Sequence, residues 1–223
     1  HREGEVIAAL SDHPFVESLE RDTSVSGAVL PNDTRFSDLS GLHNTGEGDG
    51  IADADIDAAE AWEIQTGSHA IVVGTLDTGL DYTHPDLYQN VWINPGEIPA
   101  VIAAALVDTD LDGLTTFVDL NHPNNSSQVT DHNGNFYIDA GDLLADSDWE
   151  DGVDTDANGK IDDLVGWDFA NGDNDPYDDH RHGTHVAGII GARGNNATGV
   201  TGVNWTTSLL TLKFLDEPNN GAT

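Results

Sequence analysis

Apolar residues in this chain gather in short runs separated by long polar stretches, and the runs set the order of elements. Ala70-Ile71-Val72-Val73-Gly74-Thr75-Leu76 is a nearly continuous β-branched run. It predicts a strand buried on both faces of a parallel sheet, delivering Asp77-Thr78-Gly79 at its carboxyl end. In open α/β sheets that edge is where reactive groups collect. Residues 208–215 read as another strand. Between the two, residues 184–192 are small, apolar and helical, with Gly183 and Gly188 allowing close packing. Residues 56–62 predict a short helix. Strand, long polar stretch, helix, strand is the order of an α/β fold with a parallel sheet.

Two segments depart from this pattern. In residues 1–30, Val6-Ile7-Ala8-Ala9-Leu10 and Phe15-Val16-Glu17-Ser18-Leu19-Glu20 predict a short helix, a turn at Asp12-His13-Pro14 and an edge strand. That is too little to build a core, so the segment reads as the tail of something larger. Pro31-Asn32-Asp33 marks the boundary. The second departure is an insertion at about 95–164, rich in Asp, Asn and Gly. A structureless loop of that length does not belong in a compact domain, so something must order it.

Charge narrows the candidates. Seven Lys+Arg against 41 Asp+Glu give a net charge of −34, which repels nucleic acid phosphates and anionic membranes. Of the acids, 31 are Asp and 10 are Glu. Asp is a poor helix former, and its excess points to loops whose carboxylates fold back on the backbone or hold hard cations. Salt adaptation or solubility is the bland alternative. With no Cys and no Met there is no disulfide framework, no thiolate nucleophile and no Cys-ligated zinc. No run approaches the roughly 18 apolar residues of a membrane span. The chain starts at His1 without a signal peptide, which predicts that upstream sequence has been removed or omitted.

A calcium loop of about twelve residues supplies oxygens from positions 1, 3, 5, 7, 9 and 12. Three segments of the insertion fit. The first places Asp108, Asp110 and Asp112 at positions 1, 3 and 5, then Gly113, with Asp119 at position 12. The second has Asp131, Asn133 and Asn135, the Tyr137 carbonyl, Ile138, Asp139 and Asp142. The third has Asp154, Asp156 and Asn158, then Gly159, the Lys160 carbonyl, Ile161 and Asp162. Each has a flaw: Thr115 in place of Ile, Phe136 in place of Gly, and Val165 at position 12. Any one loop reads equally as a cluster of Asx-turns that binds nothing. Three within one insertion favour Ca²⁺ as a structural cofactor.

Two further segments carry chemistry. Asp77-Thr78-Gly79-Leu80-Asp81-Tyr82-Thr83-His84-Pro85-Asp86-Leu87 follows the first strand, and His182-Gly183-Thr184-His185-Val186-Ala187-Gly188 opens the helix. A histidine that accepts a hydroxyl proton needs a carboxylate on its other nitrogen, and a strand end and a helix start can meet at one sheet edge. Taken alone, His182 reads as a structural histidine and Asp77 as a helix cap.

Both segments resemble the Asp and His signatures of the subtilisin-like serine proteases, the subtilases. Pro31-Asn32-Asp33, Gly41-Leu42-His43-Asn44-Thr45-Gly46, Asp55-Ile56-Asp57-Ala58, Glu60-Ala61-Trp62, Gly166-Trp167-Asp168-Phe169 and Gly199-Val200-Thr201-Gly202-Val203 also resemble family sequence, in family order. The resemblance implies a three-layer subtilisin-like fold and an endopeptidase acting on proteins or peptides. The propeptide-like tail, the absence of Cys and the calcium loops point to a secreted address, and a monomer is expected. The resemblance also implies Asp77 and His182 as triad members, His185 as structural, and residues 1–30 as the end of an inhibitory propeptide cleaved among residues 26–30. It implies two more cation sites. One would use the Asp33 and Asp86 carboxylates, oxygens of Asn196 and Thr198, and the Arg193 and Val200 carbonyls. The other would use Asp168, Asn171, Asp173 and Asp175.

The sequence also departs from the family. No Gly-Thr-Ser-x-Ala segment is present, Ser208 lies mid-strand, and the oxyanion-hole Asn is missing, so the chain reads as an N-terminal portion that is inactive as written. Arg181 stands where the family usually has Gly, a cation beside His182 unless Asp178 or Asp179 neutralises it. The alternative is a calcium-binding adhesive or matrix module on a non-catalytic protease scaffold.

Overall fold

The computed structural model describes residues 10, 13–16, 29–47 and 50–216. Most of the segment expected to be a propeptide tail lies outside these residues. Three parallel strands form one sheet: β1 (Gly67–Asp77), β2 (Gly166–Asp168) and β3 (Thr206–Lys213), in the order β1-β3-β2. β3 is central and mostly buried, as its Ser-Leu-Leu-Thr-Leu run requires. Its register brings Lys213 opposite both Asp77 and Asp168, so three charged residues close the carboxyl ends of adjacent strands.

β1 is not buried on both faces. His69 and Thr75 on one face are buried, while Val72 and Leu76 on the other are 47% and 69% exposed. The sheet order explains part of this. β1 is an edge strand among the described residues, and the helix that packs on it, the fifth (His182–Gly191), covers one face only. A register irregularity between Gly67 and Val72 turns Ile71 outward as well.

Five α-helices accompany the sheet among the described residues: α1 (Ala58–Ala61), α2 (Ala100–Ala103), α3 (Phe117–Leu120), α4 (Ala140–Ala145) and α5 (His182–Gly191). α1 carries Trp62 against Trp205, with ring centroids 5.1 Å apart, and the Trp62 indole donates to the Val203 carbonyl. α5 packs on β1 and β3, and Gly191 lies so close to Thr207 that a Cβ would strike its methyl.

The insertion is a structured part of the molecule that shares the main core. Ile98, Ile102, Phe117, Leu120, Leu143, Trp149 and Leu164 are buried in the cluster that also holds Leu80, Val91 and Leu209. Asp and Asn order its turns and helix starts. Thr116 and Asp119 form the capping box of α3, and Asp139 and Asp142 that of α4. Each box satisfies amides that a helix N-terminus leaves without partners. No helix of the described residues is long and apolar enough to cross a membrane.

Candidate active site

Asp77 is the last residue of β1 and His182 the first of α5. Folding brings them together across 105 positions, with His182 Nδ1 2.7 Å from Asp77 Oδ1. The same oxygen accepts the Thr78 N–H at 2.8 Å. The Asp77 side chain is 14% exposed and the His182 side chain 63%, so the carboxylate is sheltered and the imidazole open. With Nδ1 against the carboxylate, Nε2 is the nitrogen free to exchange a proton with a bound group. His182 lines a cavity of about 910 Å³, together with Arg181, His185, His84, Ile189 and Leu42.

A second carboxylate fixes where α5 begins. Asp178 Oδ1 accepts the His180 and Arg181 N–H groups at 2.9 and 2.8 Å and the Thr78 hydroxyl at 2.8 Å. Its Oδ2 accepts the Thr184 N–H and hydroxyl at 2.8 and 2.5 Å. Thr78 Oγ1 in turn accepts the Gly183 N–H at 2.9 Å. Burial raises the Asp178 pKa, but these donors outweigh it and hold the carboxyl below the usual range. Strand end and helix start are therefore joined through one buried anion. Gly183 completes the junction, because a Cβ there would run into the Gly79 carbonyl. Gly79 itself has φ +113 and sits against the Pro176 and Tyr177 carbonyls, a place only glycine fills without strain.

Neither acid expected to neutralise Arg181 does so. Asp178 is engaged by the α5 terminus, and Asp179 accepts from Lys213 Nζ at 3.0 Å. Lys213, 3% exposed, also pairs with Asp168 at 3.2 Å. Burial works against its charge, but the two carboxylates prevail and raise its pKa. Ser208 is buried in β3 and donates to the His69 carbonyl at 2.8 Å, so its hydroxyl is not available to His182.

The expected cation ligands separate into groups. Asp33 and Asp86, 5% and 2% exposed, meet the loop at 195–200. Asp86 accepts from Asn196 Nδ2 and the Val200 N–H, both at 2.8 Å, and its own carbonyl accepts the Arg193 N–H. Thr198 donates its N–H to Asn196 Oδ1 at 2.8 Å. Asp33 Oδ2 accepts the Asn195 N–H at 2.7 Å, whereas Oδ1 is buried with no donor. Burial, with the Asp33 charge adding to it, raises the Asp86 pKa against the pull of its hydrogen bonds. A buried anionic oxygen lacking a donor, beside a second carboxylate, fits a hard cation.

Asp108, Asp110 and Asp112 also converge, each offering an oxygen within 4.8 Å of the others. Asp119 does not join them. Its oxygens accept the N–H and hydroxyl groups of both Thr109 and Thr116. In the second loop Asp131 accepts the Gly134, Asn135 and Phe136 N–H groups. The Asn133 and Asn135 amides both donate to Asp139 Oδ2, and Asp142 accepts the His132, Asn133 and Asp139 N–H groups, which makes this loop a self-satisfied turn. In the third, Asp154 accepts the Asn158 and Gly159 N–H groups, and both oxygens of Asp162 face the Gly152 N–H. Asp168 is neutralised by Lys213 and also accepts from Asn171. Asp173 and Asp175 do not gather with it: Asp173 accepts the Asp175 N–H, and Asp175 accepts the Tyr82 hydroxyl.

Sequence reasoning missed Thr78, Thr184 and Asp178 as positioning groups, although the first two sit inside the quoted motifs. It also missed Lys213, Glu97 and Asp163, whose partners lie far away along the chain.

The model of the subtilase family matches residues 68–223. Subtilisin-like protease 1 of Plasmodium berghei is 43% identical over 104 residues, covering 47% of this chain and 16% of that protein. The thermophilic serine proteinase of Bacillus sp. strain AK1 is 27% identical over 217 residues, covering 97% of this chain and 33% of that protein. The chain thus spans a third or less of the length of these relatives. A solved protease structure from Pseudoalteromonas arctica aligns with a TM-score of 0.42 and 24% identity, covering 87% of this chain and 41% of that one.

Proposed function

The chain belongs to the subtilase family, and on that premise we propose that it carries the Asp and His of a serine endopeptidase whose nucleophile lies outside these 223 residues. The 2.7 Å contact between Asp77 Oδ1 and His182 Nδ1 carries the reading. Asp77 holds the imidazole in the tautomer with Nδ1 protonated and stabilises the imidazolium that forms. His182 Nε2 takes the proton of a serine hydroxyl as it attacks the peptide carbonyl, then returns it to the leaving amine. Asp178, Thr78 and Thr184 position the pair without touching the reacting atoms.

Calcium fits the Asp33–Asp86 pocket and the Asp108, Asp110 and Asp112 loop. When bound it would supply charge neutralisation that braces these loops. A secreted address and an inhibitory propeptide within residues 1–30 belong to the same reading and draw support from the family. In full-length protein, His182→Ala is expected to abolish peptide hydrolysis, and Asp77→Asn to lower kcat by about 10⁴-fold. Turnover within tenfold of wild type by either variant refutes the assignment.

A further inference from the structure

The end of the insertion holds an acidic cluster that the twelve-residue loop template does not describe. Glu97, Asp156 and Asp163 each offer a carboxylate oxygen within 4.8 Å of the others. Glu97 comes from the opposite end of the insertion and is 1% exposed. Its Oε1 accepts the Asp156 N–H at 2.9 Å, while its Oε2 is buried with no hydrogen-bond donor. Two amides bind the rim. Asn94 Nδ2 donates to Asp156 Oδ2 and Asp163 Oδ1 at 3.1 and 2.9 Å, and Asn158 Nδ2 to Asp156 Oδ2 and Asp163 Oδ2 at 3.0 and 3.1 Å. Neutral amides tie Asp156 to Asp163, and the Asp156 N–H holds Glu97, but none of these donors balances the charge of the three carboxylates. An anionic oxygen shut away from water without a donor is unfavourable unless a cation meets it. An all-oxygen donor set suits a hard divalent ion and not a thiolate- or imidazole-seeking one.

We propose that Glu97, Asp156 and Asp163 form a calcium site that fastens the start of the insertion to its end. The two ends already touch, the Asn94 N–H donating to the Leu164 carbonyl at 2.7 Å. An ion bound at the three carboxylates locks that junction, two residues ahead of β2. This deepens the calcium reading of the third loop, replacing Asp162 by Glu97 and Asp163, and is independent of the hydrolytic reading.

The test counts bound calcium per molecule of full-length protein at saturating calcium, for wild type, Glu97→Gln and Asp163→Asn. Each variant is expected to hold one ion fewer than wild type. If both keep the wild-type count, the proposal is overturned while the other loops stand. If wild type holds no calcium, the proposal and the loop reading fall together. If the variants do not fold, hydrogen exchange of the wild type decides: chelation is expected to release the amides of residues 94–97 and 154–163 together. Unchanged exchange in residues 94–97 overturns the proposal.

Discussion

Five donors converge on Asp178, a carboxylate 7% exposed that lies four residues before His182. Its pKa is held below the ordinary carboxylate value, so its stabilisation is present above the unfolded pKa of about 3.9 and is lost as pH falls through the folded value. Asp178→Asn is therefore expected to cost about 2–3 kcal/mol at neutral pH and to flatten the acid limb of stability. Denaturant unfolding at pH 7 and pH 3 checks this, and an equal loss at both pH values counts against it. Gly183→Ala adds a methyl where the Gly79 carbonyl already sits. It should displace the α5 start by a fraction of an ångström or more and lower kcat about 10²-fold, while costing roughly 1–3 kcal/mol in stability. A variant with wild-type kcat shows that the close approach does not set the geometry of the pair. Both residues lie in or beside quoted motifs, yet nothing in the sequence told which donors Asp178 gathers.

Among the elements, β1, β3, α1 and α5 were legible, while β2 and the short helices of the insertion were not. A β-branched run of seven residues announces a strand whatever its neighbours do. Four-residue helices such as α2 and α3 are shorter than the window over which helical periodicity can be read. Burial was misjudged at β1 because an apolar run reports what a strand can bury, whereas exposure depends on which elements cover each face. Register also created the Lys213 pairing: parallel alignment of β3 with β2 sets Lys213 beside Asp168. Lys213→Met leaves Asp168 buried without its cation and is expected to cost about 3–5 kcal/mol. Since the Lys213 pKa is raised, its contribution is complete below the unfolded value of about 10.4 and fades only as pH rises through the folded value. The loss on substitution should therefore be the same at pH 6 and pH 9, which unfolding midpoints at the two values measure. A loss that shrinks by pH 9 rules this out.

For the molecule as a whole, a net charge of −34 opposes compaction, and monovalent salt relieves only its long-range part. The neighbouring carboxylates at Asp33 and Asp86 and the converging ones at Asp108, Asp110 and Asp112 place the short-range part where a divalent ion would act on the proposed reading. Chelation at fixed ionic strength is expected to lower Tm by about 5–10 °C for each site held at 100 times its Kd, and added sodium chloride should not restore it. An unchanged Tm removes calcium from the account. What the sequence alone determined is what depends on neighbouring residues: strand runs, turn chemistry, the motifs around Asp77 and His182, and an acidic surplus in loops. Tertiary structure decided which acids meet. It engaged Asp119, Asp142 and Asp162 with backbone amides, gave Asp168 to Lys213, and joined Glu97 to Asp156 and Asp163. Carboxylates interact over a few ångströms, and folding sets those separations between residues that the chain holds tens of positions apart.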